Sequence, residues 1–323
     1  MPTFTIYCNA HLNPAAEAHL IDGAKPHRLI IAKTRAGNLD AGQTDPDLAH
    51  ADIAFGQPDP SQVIALNNLR WIQLSSAGYT RFDTPEMRRA LPARGCILTN
   101  SSSVYNEPCS QHILSLILAN ARELPTAIAN QLGPHAWPTK PIRIKSQLLT
   151  GQTALILSFG AIARRLVELL TPLHMNLIAV RQTPRGDEPI PVHAITDLDR
   201  LLPAADHIIN ILPASASTEG LIDAKKFALM KPGAVFYNIG RGTTIDQSAL
   251  QRALETGKLS AAYLDVTDPE PLPPNHPLWQ LPNCTITPHT AGGHSDEFER
   301  LAKHFIENLR KFEASQPLRD RVM

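Results

Sequence analysis

The sequence predicts an α/β fold arranged as two doubly wound parallel-sheet domains with a cleft between them. Three observations carry that expectation. The chain has 323 residues, room for two ordinary domains. It is 43% hydrophobic and 19% charged, enough apolar content for two substantial cores. Short apolar runs alternate with helical patterns, the arrangement expected of parallel strands joined by crossover helices.

In the first hundred residues T-F-T-I-Y-C, R-L-I-I-A, D-I-A-F-G, W-I-Q-L-S-S and C-I-L-T-N read as strands. P-A-A-E-A-H-L-I-D and P-S-Q-V-I-A-L-N-N-L read as helices between them. From Asn100 to Leu124 runs a broadly apolar helix with Ile113, Leu114, Leu116, Ile117 and Leu118, a composition that predicts burial on several sides. Residues 125–150, rich in Pro, Gly, His and Lys, read as a surface excursion containing Trp137. T-A-L-I-L-S-F-G-A-I-A-R-R-L-V-E-L-L reads as strand, tight turn and helix, and N-L-I-A-V as the next strand. Phe298, Leu301, Phe305, Ile306 and Leu309 recur at helical spacing near the C-terminus, which predicts a helix returning to cover the first domain. The expected domains are 1–100 with 294–323, and 101–293.

Thirty Lys and Arg balance thirty Asp and Glu, leaving no basic field for nucleic-acid binding. The first residues lack a basic segment followed by a long apolar run, so no signal peptide is expected. No apolar run reaches about 18 residues, so no membrane span is expected. Cys8, Cys96, Cys109 and Cys284 are far apart with no Cys-x-x-Cys, which points to buried free thiols in a reducing cytoplasm rather than a disulfide or metal framework. No His pair has helical ligand spacing beside a Glu, so no metal site is expected.

The chemistry concentrates between Asn238 and Gly292, in N-I-G-R-G-T-T-I-D, A-A-Y-L-D-V-T-D-P-E-P-L-P and I-T-P-H-T-A-G-G. A guanidinium (Arg241), a carboxylate (Glu270) and an imidazole (His289) each stand at a turn or at the mouth of an apolar run. Arg offers a planar fork for a carboxylate, and an acid beside His makes a proton donor. Taken singly, each reads as an unrelated surface polar residue. Together, with Gly and Pro shaping the backbone around each, they read as one site at strand ends of an open sheet.

Two further stretches fit such a site. Ser158, Gly160 and Ala163 occupy the three positions of a Gly-x-Gly-x-x-Gly/Ala turn, whose helix N-terminus meets a pyrophosphate. Only the middle glycine is intact. Ser at the first position fits if its backbone angles need not be positive; an ordinary strand–helix turn is the alternative. Arg181 stands about 20 residues on, where an acidic residue would bind ribose hydroxyls. Arg181 is able to pair with a 2′-phosphate, with Gln182, Thr183 and Arg185 nearby, which favours NADP over NAD; a solvated surface Arg is the alternative. Ser76, Ala77 and Gly78 follow the strand W-I-Q-L in a small-residue loop suited either to an anion or to an ordinary turn.

In these motifs, and more weakly over nearly the whole chain, the sequence resembles the D-isomer-specific, NAD(P)-dependent 2-hydroxyacid dehydrogenase family, including its glyoxylate and hydroxypyruvate reductases. The resemblance implies a flavodoxin-like substrate domain and a Rossmann dinucleotide-binding domain. It implies that Arg241 holds the substrate carboxylate, that His289 exchanges the proton, and that Glu270 supports the imidazole. It implies a substrate loop at Ser76, Ala77 and Gly78, though relatives carry Asp where Thr80 stands. Cofactor contacts are implied at Gly160, Ala161, Ile162, Arg181, Gln182, Thr183, Leu212, Pro213, Thr218, Ile239, Gly240, His289, Ala291 and Gly292. Asp265 is expected on the nicotinamide side; a turn or cap role is its alternative. The partners implied are a small 2-ketoacid or 2-hydroxyacid and a second copy of the chain in a cytoplasmic homodimer, with no nucleic acid and no membrane. Rival readings are phosphite or formate oxidation on the same scaffold, and a non-catalytic, corepressor-like nucleotide sensor.

Overall fold

The computed structural model describes residues 3–323, which form two compact units, residues 3–105 with 293–323 and residues 106–292. The strands of the first unit are β1 (Thr5–Ala10), β2 (Arg28–Ala36), β3 (Ile53–Gly56), β4 (Trp71–Leu74) and β5 (Ile97–Thr99), in the order β2-β1-β3-β4-β5. Every ladder in this sheet is parallel. Its helices are α1 (Pro14–Gly23), α2 (Pro60–Ala65), α3 (Pro85–Ala93) and, at the chain end, α11 (Glu297–Glu313). The first three start where the sequence puts Asn13, Asp59 and Thr84 directly before Pro, each side chain accepting an N–H of the first turn.

A parallel sheet is covered on both faces, and the alternation along its strands shows it. Ile72 and Leu74 of β4 pack with Val63, Met87 and Leu91 on one face. Trp71, one residue out of phase, stacks on Phe305 of α11 at 5.1 Å on the other, and Phe55 stacks on the same ring at 4.5 Å. The C-terminal helix therefore covers the first sheet, as its spacing predicted.

The second unit holds β6 (Thr153–Leu157), β7 (Asn176–Arg181), β8 (Val192–Ala194), β9 (His207–Asn210), β10 (Ala234–Asn238), β11 (Leu259–Leu264) and β12 (Cys284–Ile286). They lie in the order β12-β11-β10-β9-β6-β7-β8, again all parallel. The order reverses between β9 and β6, the switch point at which open α/β sheets accept ligands. Its helices include α7 (Ala161–Leu170), α8 (Leu198–Leu201), α9 (Ala224–Leu229) and α10 (Gln247–Glu255). Helix α4 (Ser102–Ala121) begins in the first unit, and its later turns bury Ile113, Ile117 and Ala121 at i, i+4 and i+8. Leu118 is exposed, so this helix is less covered within the chain than its composition suggested.

One expectation is refined and one corrected. The surface stretch 125–150 is helical where its Pro and Gly gave no sign of it: α5 (Leu124–Leu132) runs into it and α6 (Thr139–Lys145) lies within it, neither buries a side chain, and Trp137 is 88% exposed. Ser158 does require a positive φ, +95°. The turn keeps the shape a glycine normally supplies, and a residue with a Cβ bears a strain of about 1–3 kcal/mol there. The four cysteines are free, three of them buried and Cys284 partly so.

Inside the second sheet His207 bonds Tyr237 through Nδ1 at 3.0 Å and Gln152 Oε1 through Nε2 at 2.6 Å. Gln152 Oε1 only accepts, so Nε2 carries the proton and Nδ1 accepts from the tyrosine. Burial, opposed by the Asp206 charge, pushes the His207 pKa down to about 4, against an unfolded value of about 6.5. The unfolded chain binds more protons between those values, so this contribution is complete above about pH 6.5 and is lost as the pH falls towards 4. Unfolding at pH 7 and pH 5 should differ by about 2 kcal/mol from this residue. His207→Gln should remove that part of the pH dependence; an unchanged slope in denaturant titrations would refute the assignment.

Candidate active site

The polar groups singled out in the second unit stand at the C-terminal ends of neighbouring parallel strands. Arg241 follows β10, Glu270 follows β11 and His289 follows β12. His289 Nδ1 lies 2.9 Å from Glu270 Oε2, and Glu270 Oε1 accepts the Thr267 N–H at 3.1 Å. With Nδ1 committed to the carboxylate, Nε2 is the ring atom left to exchange a proton with a ligand. Burial would raise the Glu270 pKa. The His289 hydrogen bond and charge, the Thr267 N–H and the Arg241 charge outweigh it and hold the carboxyl below its usual range. The three groups are thus electrostatically coupled.

Backbone packing brings them together. A Cβ at Gly242, the residue after Arg241, would lie 1.9 Å from the Thr267 carbonyl oxygen. Only glycine lets the β10 loop approach the β11 loop this closely. Two residues missed in the sequence, Asn210 and Asn238, fasten the same ends. Both are fully buried. Asn210 donates to Asn238 Oδ1 and Thr244 Oγ1, and the Leu212 and Gly240 N–H groups donate to the two Asn Oδ1 atoms. Thr244 and Asn238 donate to the Arg241 carbonyl. A buried Asn at the end of each of two adjacent apolar strands, in H-I-I-N and V-F-Y-N, was the available signal.

Towards the switch point, Gly160 precedes α7 at the end of β6. No side chain caps this helix, and a Cβ at Gly160 would meet nothing within 4 Å. The glycine is not demanded by packing inside the chain; the open space lies before a helix N-terminus, where a pyrophosphate fits. Ala161 and Ile162 form the first turn. Leu212 and Pro213 follow β9, and the loop after them closes on Thr218, whose hydroxyl donates to the Pro213 carbonyl at 2.6 Å. Ile239 and Gly240 follow β10, and Ala291 and Gly292 follow His289. The residues present therefore fit a dinucleotide along these strand ends.

Arg181 ends β7, with Gln182 and Thr183 exposed after it. Its Nη1 pairs with Glu188 Oε1 at 3.1 Å, a partner the sequence reading did not name. Backbone N–H bonds from Arg185 and Gly186, with Arg181, hold the Glu188 carboxyl far below its usual range. Within the first unit, Ser76, Ala77 and Gly78 follow β4. The Ser76 hydroxyl donates to the Gly78 carbonyl and accepts from Gln57 Nε2, so it is spent on shaping the loop. Among the described residues, outside the helices and strands, the Ser76, Ala77 and Gly78 N–H groups donate to no backbone carbonyl. No cluster of His, Cys, Asp and Glu able to hold a metal is present, and no helix is long and apolar enough to cross a membrane, among the described residues.

Known proteins share this organisation. The family model for the D-isomer specific 2-hydroxyacid dehydrogenase NAD binding domain matches residues 114–291. A human glyoxylate reductase/hydroxypyruvate reductase is 34% identical over 225 residues, covering 69% of this chain and 67% of that protein. A crystal structure of a D-isomer specific 2-hydroxyacid dehydrogenase family protein from Aeromonas salmonicida is 30% identical, superposes with a TM-score of 0.77, and covers 100% of this chain and 99% of that one. A D-isomer specific 2-hydroxyacid dehydrogenase from Xanthobacter autotrophicus, solved with NADPH and MES, shares the fold at 22% identity, with a TM-score of 0.83 and coverage of 100% and 98%. With the strand order, the open helix N-terminus and the paired His and Glu in place, the chain belongs to the D-isomer-specific 2-hydroxyacid dehydrogenase family and is an NAD(P)-dependent oxidoreductase.

Proposed function

We propose that this protein reduces a small 2-ketoacid, with glyoxylate and hydroxypyruvate as first substrates, and that it prefers NADPH. The observation that carries the reading is the 2.9 Å contact between His289 and Glu270 within the field of Arg241. Bound NADPH supplies the hydride. The Arg241 fork holds the substrate carboxylate by charge-assisted hydrogen bonds and draws electron density from the adjacent carbonyl. His289 Nε2 gives its proton to the carbonyl oxygen, and takes it back in the reverse direction. Glu270 keeps Nδ1–H fixed and stabilises the charged ring. Within their own unit, the N–H groups of Ser76, Ala77 and Gly78 form a small-residue loop of the kind that accepts an anion. Neither phosphite or formate oxidation nor a corepressor role is favoured by the relatives.

Preference for NADPH rests on Arg181, which spends one donor on Glu188 and keeps the rest of its fork for a 2′-phosphate. The Xanthobacter relative, bound to NADPH, supports it. A homodimer is supported by an uncovered apolar stripe: Leu124, Ile128 and Leu132 at i, i+4 and i+8 of α5, with Trp137, Ile144 and Leu148 beyond, all exposed. A second copy of the chain, in a cytoplasmic enzyme, is the proposed cover.

Three measurements test these readings. In NADPH oxidation assays with glyoxylate and hydroxypyruvate, His289→Ala should lower kcat by roughly 10²- to 10⁴-fold. Arg241→Ala should raise KM and lower kcat together; wild-type turnover in either variant would remove the catalytic assignment. Arg181→Asp should shift the ratio of kcat/KM for NADPH over NADH by about 100-fold towards NADH, roughly 2.7 kcal/mol. An unmoved ratio would place the selectivity elsewhere. Sedimentation equilibrium should return twice the chain mass for wild type and less for Ile128→Asp with Leu132→Asp; a monomeric wild type would contradict the dimer.

A further inference from the structure

Asp265 was expected on the nicotinamide side of the cofactor, with a turn or cap role as its alternative. In the structure its carboxylate is buried, 3% of the residue remaining exposed, and it is engaged within the chain. Oδ1 accepts the Thr287 hydroxyl at 2.6 Å and the Thr290 N–H at 2.9 Å, and Oδ2 accepts the Ala291 N–H at 2.9 Å. The Asp265 carbonyl accepts the His289 N–H, also at 2.9 Å. One residue thus binds the turn on both sides of His289. That turn needs binding: His289 has a φ of +51°, a conformation that residues with a Cβ rarely adopt. Strained backbone at a reacting group persists when surrounding contacts over-determine it.

We propose that Asp265 and Thr287 together form a positioning clasp that sets the His289 backbone, and through it the direction of the ring towards Glu270 and the substrate. The geometry divides the labour. Asp265 supplies acceptors to two N–H groups beyond the histidine. Thr287, two residues before it, anchors the near side through its hydroxyl. Because that proton goes to Asp265, Thr287 Oγ1 receives one from His112 Nε2 at 3.3 Å, which ties the clasp to α4. Neither Asp265 nor Thr287 needs to touch reacting atoms: a proton donor displaced by a fraction of a bond length transfers poorly even with its chemistry intact. This proposal rests on His289 being the proton donor of the reaction proposed above.

Thr287 is the side chain to vary, because Val matches its shape and lacks only the hydroxyl, while Ser keeps the hydroxyl and loses a methyl. Thr287→Val should lower kcat for glyoxylate reduction roughly tenfold. The dissociation constant for NADPH, followed by its fluorescence, should not change. Thr287→Ser should return kcat to within about twofold of wild type. Thr287→Ala serves the same purpose if the valine variant melts early. Equal kcat in the Val, Ser and wild-type proteins would overturn the clasp. So would a loss of NADPH affinity in Thr287→Val as large as its loss of kcat, since the network would then serve the cofactor pocket. His289→Ala separates this outcome from failure of the underlying reading: an inactive His289→Ala with an unaffected Thr287→Val rejects the clasp alone, whereas an active His289→Ala rejects the catalytic assignment first.

Discussion

The hydrogen bond between His289 and Glu270 depends on a backbone constraint: loops from three neighbouring strands must meet at one point. Parallel strands meet that demand directly, since all their C-terminal ends lie on one edge of the sheet. The approach is completed by a missing side chain at Gly242, against which the Thr267 carbonyl packs, and by the buried amides of Asn210 and Asn238. A Cβ at Gly242 would separate the loop carrying Arg241 from the loop carrying Glu270 before it altered any reacting group. Positional accuracy here comes from backbone packing, with side-chain chemistry laid over it.

Charge is organised in the same local manner. Lys and Arg balance Asp and Glu over the whole chain, so no net field draws an anionic ligand in from a distance. Pairs provide the electrostatics instead. Glu270 is held ionised by His289, Thr267 and Arg241 against the opposing effect of burial. Glu188 is held ionised by backbone N–H groups and Arg181. In each case a carboxylate orients a cationic or proton-bearing side chain that is proposed to meet a ligand, a use of acids quite different from general acid–base work.

Strain marks the same strand ends. Ser158 and His289 both adopt positive φ, at +95° and +51°, one at the turn that opens α7 and the other at the proposed proton donor. The first is a departure from the glycine its position normally carries; the second is held by the hydrogen bonds of Asp265 and Thr287. Such conformations are maintained by their surroundings, and both sit at the edge of the sheet where binding and chemistry are proposed.

The alternation of apolar runs with helical stretches was enough to read two parallel sheets and the return of the last helix, because burial on two faces imposes its own period on strands and helices. Arg241, Glu270 and His289 were singled out for a related reason: the Gly and Pro around them announce shaped turns. Residue types did not reveal the backbone angle at Ser158, because serine gives no sign that a turn demands a positive φ. Nor did they reveal the helices between 124 and 145, or the partners Glu188, Asn210 and Thr287. Those partners are decided by loop packing at strand ends tens of residues apart, and a hydrogen bond between such residues has no periodicity to leave in the chain. Local pattern determined what the elements are; only the folded backbone decided which polar atoms meet.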